Sequence, residues 1–490
     1  MNEHDHEITD TNVIDGKEDK ESSVICENVQ NDQIIEGNGT IRVLIRTGNY
    51  ENIYHKEVDF KSQMGLYVEQ NGKISEYSKN ETFILTPEIL EKGDISVYAK
   101  GQGRVVLSNV ARSETVSYRG IMECYGTDMG IILINELPVE EYLYGVVPSE
   151  MPSTYPLEAL KAQAICARTY MYFHKKMYAY PEWKANVDDS SLYQVYLNIG
   201  ENDNSTEAVD STNGEVITYK GDVIESFYYA SSSGVSSGYE VWDTDKNLGY
   251  LKAQSFNGIV QAANISNGSQ VNALPESGKE TDSYIIEQNE IQYRKYIDTG
   301  NPDDIEYNEP WYRWTYNKEI NSSDLLRKVI TIAMDYPEQI IIRNRAQNSN
   351  TDISEMYNEK EIMSIEVKER LESGLVNELL IKTPNYDVSV KTQNCIRKIL
   401  SDKGDIVVKK DGTLYIMGDL LPSAYFYLDN IYDGDELSGI VIHGGGLGHG
   451  AGMSQNGAKC LANKGYPAEQ ILNYYYDDIE IVSCNLSEIQ

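Results

Sequence analysis

The sequence holds no apolar run of the roughly 18 residues that a membrane helix needs, so no membrane-spanning segment is expected. Met1 is followed by acidic residues rather than by a basic stretch and an apolar core, so no signal peptide is visible. Either the protein is cytoplasmic or an export signal has been lost from the sequence. Basic charge is scarce: 42 Lys and Arg stand against 77 Asp and Glu, a formal net charge of −35. Phosphate neutralisation needs a basic surface, so nucleic acid is not an expected partner. The six cysteines, Cys26, Cys124, Cys166, Cys395, Cys460 and Cys484, include no Cys-x-x-Cys pair. A zinc ribbon or a dithiol redox motif is therefore unsupported. Cys166 lies among alanines and reads as a small buried hydrophobe, while a Cys460–Cys484 disulfide is left open. Phenylalanine is nearly missing, 6 residues against 38 Tyr. Tyrosine suits surfaces that stack on sugars and bond to hydroxyls; compositional bias is the competing explanation.

What is present is a globular composition, 40% hydrophobic over 490 residues, too long for one ordinary core. No internal repeat is visible. Residues 1–39 are polar and acidic and read as a disordered tail or linker. From "IRVLI" at 41–45 to about residue 135, short β-like runs separated by turn residues predict a β-rich lobe. A helix is expected from a cap at Ser153 or Thr154 to about Lys176, with Leu157, Leu160, Ala164, Ala167 and Met171 as its buried stripe. Lys161 and Arg168 fall within ~70° of the stripe's centre, two turns apart. "GEVITYKGDVIESFYYASSSG" reads as two strands ending in a Ser/Gly loop, and 255–310 as a polar insertion. A helix at 323–333 and a strand pair leading into a helix at 377–400 follow. A glycine-dense loop then precedes two short helices, the second opened by Pro467; residues 481–490 form a tail.

Two segments carry chemistry. Glu150 stands between Pro148 and Pro152, which fix the backbone, and its neighbours are apolar. Such surroundings favour a protonated carboxyl that can donate to a glycosidic oxygen; a solvated loop glutamate is the alternative. Lys161 and Arg168 are read either as cations at the core edge or as groups that hold substrate carboxylates or hydroxyls. In the glycine loop, His449, Ser454 and Gln455 offer hydrogen-bonding groups where a short helix begins. The loop has neither G-x-G-x-x-G nor P-loop spacing, so no nucleotide cofactor is indicated. His443 and His449 are six apart with no nearby carboxylate or thiol set, so no metal is expected.

"NELPVEEYLYGVVPSEMPSTYPLEALKAQAICARTY" and "GLGHGAGMSQNGA" resemble the two long motifs of the stage II sporulation protein D and amidase-enhancer family. "YRG" at 118–120, "QVY" at 194–196, "ASSSG" at 230–234 and "LPSAYF" at 421–426 lie in the family's order, so the resemblance spans roughly 40–480. It implies a peptidoglycan lytic transglycosylase that leaves 1,6-anhydromuramyl ends, acting on glycan strands stripped of peptides by a partner amidase during engulfment in sporulation. The family's catalytic glutamate maps onto Glu150, its lysine and arginine onto Lys161 and Arg168, and its loop histidine onto His449. Tyr170, Gln194, Tyr196, Ser232, Ser454 and Gln455 are carried over as substrate contacts. The resemblance also implies a cell-wall-facing protein, anchored in a membrane and working with a sporulation membrane complex. Leu192 and Tyr193 stand where some members carry zinc ligands, Ala230 where a histidine is common, and Pro148 where a smaller residue is common. The expected fold is α+β and two-lobed, with a β-rich lobe and helical segments flanking a substrate cleft. The alternatives are a non-catalytic wall-binding enhancer of an amidase and a sporulation-complex scaffold.

Overall fold

The computed structural model describes residues 39–176, 178–242, 246–255 and 290–483. The tails expected at 1–39 and 481–490, much of the 255–310 insertion, Cys26 and Cys484 thus lie largely or wholly outside the described residues. The class is mixed α+β, with several sheets and many short helices. The chain divides into two compact units, Met1–Phe227 with Ile479–Gln490, and Tyr228–Asp478.

The first unit is built on a seven-stranded sheet. Its order is Val187–Asp188, Thr40–Leu44, Gly130–Pro138, Ile121–Thr127, Ile95–Ala99, Leu66–Gln70 and Lys73–Tyr77. Only the first pair is parallel. Composition fits position. "GIILINELP" is buried over most of its length and runs near the middle, whereas "KISEY" is exposed and closes one edge. Leu44, Ile132, Ile134 and Ala185 pack into one apolar cluster beside Tyr125 and Trp183.

The segment around Glu150 is a helix, Val139–Glu150, and not the loop that its two prolines suggest. Glu140 and Glu141 occupy its first turn, where carboxylates complement the helix dipole. Pro148 lies inside the last turn. Pro152 disfavours helical geometry at the residue before it, and Met151 is extended, so Glu150 becomes the last helical residue. The following helix spans Leu157–Lys175 with Pro156 as its N-cap, so neither Ser153 nor Thr154 caps it. It is buried nearly all round from Ala159 to Tyr172, not along one stripe. The run "ALKAQAICA" supplies small side chains, which let the helices Val139–Glu150 and Asp203–Ser211 pack closely on it.

The second unit holds two antiparallel five-stranded sheets. One is ordered Leu414–Ile416, Ile406–Lys409, Trp314–Glu319, Glu436–Gly444, Phe426–Asp433. The other is ordered Ser349–Thr351, Ile340–Asn344, Tyr386–Lys391, Val376–Lys382, Ser364–Arg370. The expected helix at 323–333 is Ser322–Asp335, capped by Asn321, with Leu325, Leu326, Val329 and Ile330 buried. The expected strand pair and helix are Val376–Lys382, Tyr386–Lys391 and Gln393–Leu400. A parallel pair, Tyr228–Tyr229 with Met453–Ser454, joins the "ASSSG" stretch to the glycine loop. Reciprocal Ser231–Leu447 hydrogen bonds of 3.0 and 2.8 Å extend that junction.

Gly145, inside the Glu150 helix, gives a direct test of this packing. A Cβ there would lie 2.7 Å from the ring of Tyr196 and 2.8 Å from Cγ of Leu197, both buried side chains. Alanine gains about 1 kcal/mol of helix propensity over glycine, but overpacking of this kind costs about 1–3 kcal/mol. Gly145→Ala is expected to lower the urea midpoint. A midpoint raised by the propensity gain would show that the neighbours yield freely.

Candidate functional site

The Glu150 carboxyl is 2% exposed, and its Oε1 accepts the Val195 amide at 2.6 Å. Val195 belongs to the "QVY" segment, which wraps the last turn of the Glu150 helix. The Leu197 amide donates to the Gly145 carbonyl at 3.2 Å. The Asn198 and Ile199 amides donate to Ser149 Oγ at 3.1 and 3.2 Å, while that hydroxyl donates to the Gly145 carbonyl at 2.8 Å. The loop thus holds one backbone carbonyl of the helix and the side chains of its last two residues. Leu197 takes φ +51°, a left-handed conformation costly for a branched residue, to complete the wrap.

Gln194, Tyr196 and Tyr170 surround this turn. The Tyr142 hydroxyl donates to Gln194 Oε1 at 3.4 Å, and Gln194 Nε2 donates to the Ala167 carbonyl at 3.2 Å. The Tyr196 hydroxyl donates to Asn135 Oδ1 at 2.9 Å, and its ring lies 4.9 Å from that of Tyr142. The Tyr170 ring lies 4.2 Å from His174, which approaches Glu225 at 3.1 Å. Burial, with the charges of Glu225, Tyr193, Tyr142 and Glu150 adding to it, pushes the Tyr170 phenol well above its ordinary value.

Of the two readings of Lys161 and Arg168, core-edge cations or substrate-holding groups, their contacts within the protein bear on the first. Lys161 pairs with Glu158 at 2.8 Å, one turn away on its own helix. Arg168 is fully buried and grips Glu140 in bidentate fashion, at 2.8 and 2.7 Å. It also donates to the carbonyls of Val209 and Glu215, each at 3.2 Å. Glu140 lies ten residues before Glu150 on the same helix, about 15 Å along its axis. Arg168 therefore secures the far end of the helix that carries Glu150.

Sequence reasoning missed a polar cluster beside Glu150. Asp189 accepts from the Arg46 amide at 3.0 Å and pairs with Arg112 at 2.5 Å, both ion-pair side chains being fully buried. Asp188 pairs with Arg46 at 3.0 Å and accepts the Tyr180 hydroxyl at 2.7 Å. Burial pushes Asp189 up to about 6, against the opposing pull of Arg112. Glu150, Asp188 and Asp189 all act on the Tyr142 phenol, which marks them as one neighbourhood. The only sequence signal was the Asp-Asp pair five residues before "QVY"; nothing singled out Arg46 or Arg112.

Ser232, His449, Ser454 and Gln455 belong to the second unit. His449 is fully buried, its Nδ1 accepts the Ala451 amide at 3.1 Å, and Nε2 donates to the Tyr228 carbonyl at 3.1 Å. That pair of bonds fixes a neutral ring with its proton on Nε2. Tyr229 and Trp242 flank it at 5.7 and 5.0 Å. Ser454 caps the helix Gln455–Asn463, in which Gln455 is buried. Glycine in the loop admits neighbouring rings: a Cβ at Gly444 would lie 2.3 Å from Trp314, and one at Gly450 2.5 Å from Tyr425. Backbone approach to packed aromatics, rather than to a ligand, thus accounts for these two positions.

A second missed residue, Glu306, organises this region. It accepts from Ser231 Oγ at 2.7 Å and from the Ser232 amide at 2.9 Å. Burial pushes it up to about 7, with Ser454, Ser231 and Ser232 opposing. It lay in the stretch read as an insertion. Among the described residues, no group of three or more His, Cys, Asp or Glu is disposed to hold a metal. No helix there is long and apolar enough to cross a membrane.

Comparison with known proteins gives two matches, and the gap between them contains the boundary of the two units at Phe227 and Tyr228. Residues 127–219 match the family model "Stage II sporulation protein", and 237–452 match a domain of unknown function (DUF8618). An uncharacterized protein of Brachyspira hyodysenteriae is 28% identical over 415 residues, 83% of each chain. The amidase enhancer of Bacillus subtilis is 26% identical over 346 residues, 70% of this chain and 40% of that protein. Stage II sporulation protein D of Bacillus subtilis is 35% identical over 135 residues, 24% of this chain and 39% of that protein. The chain thus carries a Stage II sporulation protein domain and is homologous to both Bacillus proteins, matching about two fifths of each. That domain holds Glu150, Lys161, Arg168, Tyr170, Gln194 and Tyr196; the second match holds Glu306 and His449.

Two outcomes test these assignments. Arg168→Ala strands the Glu140 carboxylate and is expected to cost about 3–5 kcal/mol of stability, with Arg168→Lys recovering part of it. Glycan binding per folded molecule should stay normal, and selective loss of binding at unchanged stability would return Arg168 to the substrate. Glu306 tests the second unit. The native state keeps its proton to about pH 7, whereas an unfolded glutamate releases it near 4.5. The native state binds more protons in that window, so stability falls as pH rises from about 4.5 to about 7. At about 1.36 kcal/mol per pH unit this is worth on the order of 3 kcal/mol. Glu306→Gln should flatten the profile in urea titrations at pH 5 and 7.5; an unchanged slope would assign it elsewhere.

Proposed function

We propose that the chain is a peptidoglycan lytic transglycosylase, cleaving the linkage between N-acetylmuramic acid and N-acetylglucosamine in peptide-stripped glycan strands. The observation that carries this reading is the position of Glu150: 2% exposed, last in its helix and held at 2.6 Å by one amide. Burial and the negative end of the helix dipole both disfavour a carboxylate there, while the Val195 amide favours it. A carboxyl under these opposing influences suits donation and recovery of one proton. In the proposed step Glu150 protonates the glycosidic oxygen as its bond to C1 breaks. The C6 hydroxyl of the same muramyl residue attacks C1 and returns its proton to Glu150. No water oxygen enters the product.

An ordinary glycoside hydrolase needs a second free carboxylate. Asp189, an acid of the same cluster, is taken up by Arg112 and the Arg46 amide, which supports the single-acid route. In this reading Lys161, Tyr170, Gln194 and Tyr196 line the sugar near the acid. The homology to stage II sporulation protein D supports a role at the cell wall in sporulation, and we extend the proposal to a protein that works outside the cytoplasm beside a membrane complex. A partner amidase follows from the relative named amidase enhancer.

A second reading draws on the same bond. A buried glutamate that accepts a loop amide also serves as a structural clamp, which fits a non-catalytic wall-binding enhancer. Glu150→Gln separates the two. Glutamine keeps the acceptor for Val195 but cannot deliver a proton, so the variant should bind denuded glycan and lose about 10²–10⁴-fold in cleavage. Digestion in 18O-labelled water should leave the new ends unlabelled. Near wild-type cleavage by Glu150→Gln, or stoichiometric label, would sink the proposal; binding without product from either form would favour the enhancer.

A further inference from the structure

The second unit contains a cavity of ≈ 280 Å³ that none of the expected site residues lines. Its wall comes from the end of the helix Glu290–Thr299, the turn Pro310–Tyr312, the first residues of the strand Trp314–Glu319, Lys410 and His443. All of these lie within 237–452, outside the Stage II sporulation protein match.

Two cations converge on it. The Lys410 ammonium lies 3.3 Å from the ring centroid of Tyr307 and 4.9 Å from that of Tyr312. The Arg313 guanidinium lies 3.8 Å from the Tyr312 centroid. Arg313 donates to four carbonyls, those of Ile297, Ser233, Tyr312 and Tyr296, at 2.6–3.1 Å. Neither cation is ion-paired with a carboxylate among the described residues. Asp298, in the wall, accepts the Tyr427 hydroxyl at 2.6 Å, and Asp304 accepts that of Tyr312 at 2.6 Å. Burial and the nearby Arg313 charge both hold the Lys410 ammonium below its ordinary value. Lys410 Nζ donates to the Tyr307 carbonyl, and the Arg313 charge also acts on Asp304. In a chain of net charge −35, two neighbouring cations with no carboxylate at ion-pair distance among the described residues favour an anion from outside.

The remaining wall sets the shape of that anion. Tyr307 and His443 are half-buried, and His443 stacks on Tyr427 at 4.8 Å with an interplanar angle of 19°. Flat half-exposed rings beside hydrogen-bonding groups suit the face of a pyranose. The volume, just under the range of about 300–1,000 Å³ usual for small-molecule sites, admits one sugar ring rather than a strand.

We propose that this cavity binds a single carboxylate-bearing sugar unit. Lys410 and Arg313 receive the carboxylate, and Tyr307 and His443 receive the ring. The choice of a sugar rests on the proposed action on glycan; the requirement for an anion does not. Such a site would hold one acidic residue of a strand independently of Glu150.

The test titrates the full chain by calorimetry with N-acetylmuramic acid, with N-acetylglucosamine as the matched sugar lacking the carboxylate, and with inorganic phosphate. N-acetylmuramic acid should bind saturably, and N-acetylglucosamine about tenfold more weakly or worse. Lys410→Gln should remove most of that difference, Lys410→Arg should restore it, and Glu150→Gln should leave it intact. Tyr307→Ala should weaken both sugars. Thermal melting of each variant checks folding, and Lys410 is exposed, so its replacement should fold normally. Equal affinity for the two sugars, no saturable binding, phosphate binding as tight as N-acetylmuramic acid, or indifference to Lys410→Gln would each overturn the inference. Glycan cleavage with Lys410→Gln binding unchanged would fell this inference alone. A Lys410-dependent preference without cleavage would fell only the proposed enzyme.

Discussion

The first unit depends on how one helix end is closed. The last turn of Val139–Glu150 exposes backbone groups that the helix cannot satisfy, and Pro148 removes a donor from that turn. The segment Val195–Ile199 closes over that turn with four amides, one to the Gly145 carbonyl and the others to the side chains of Glu150 and Ser149. Gly145 lets Tyr196 and Leu197 lie against the helix. Position of the acid, burial of the tyrosines and course of the loop toward Asp188 and Asp189 are consequences of that closure. A displaced loop would free Glu150 and disturb the Asp189–Arg112 pair together, because the Tyr196 amide donates to the Asp189 carbonyl.

The opposite end of the same helix is held by charge. Arg168 is buried among three elements, the Glu150 helix, Asp203–Ser211 and the strand Glu215–Tyr219. A buried arginine is tolerable only if its donors find acceptors, and Glu140 with two carbonyls supplies them. Replacing such a pair by apolar residues often costs little, so its worth lies less in net stability than in fixing one arrangement of three elements. The alanine-rich helix completes the arrangement, since bulkier side chains would hold its neighbours away.

This explains which parts of the site were legible in the sequence. Glu150 stood out because prolines and apolar neighbours are unusual around a charge, and "QVY" stood out by resemblance; the structure joins the two by the hydrogen bond from the Val195 amide. The helices Leu157–Lys175 and Ser322–Asp335 followed from apolar periodicity. Arg168 stayed open between the core edge and the substrate because periodicity locates a residue on a helix face but does not say how many faces are covered. Asp189, Arg112 and Glu306 were illegible for a related reason. Each is buried by residues distant in sequence, and Glu306 comes from a stretch whose polar composition suggests exposure. In the glycine loop, Gly444 and Gly450 are required by Trp314 and Tyr425, which no local pattern reveals.

The two buried glutamates show the same physical device used differently. Glu150 takes an amide from the loop that closes its own helix, so its acidity is tied to that loop's position. Glu306 takes donors from Ser231 and Ser232, neutral groups that stabilise a carboxylate less than a cation does, and burial prevails. In each case the motif recognised by resemblance is the donor segment, and the acid it serves is what makes that segment's conformation necessary. The serines and the "QVY" run are therefore constrained first by the need to satisfy a buried acid. A substitution in either motif that impairs function without touching substrate would act through this constraint, and its signature would be a changed pH dependence rather than a changed affinity.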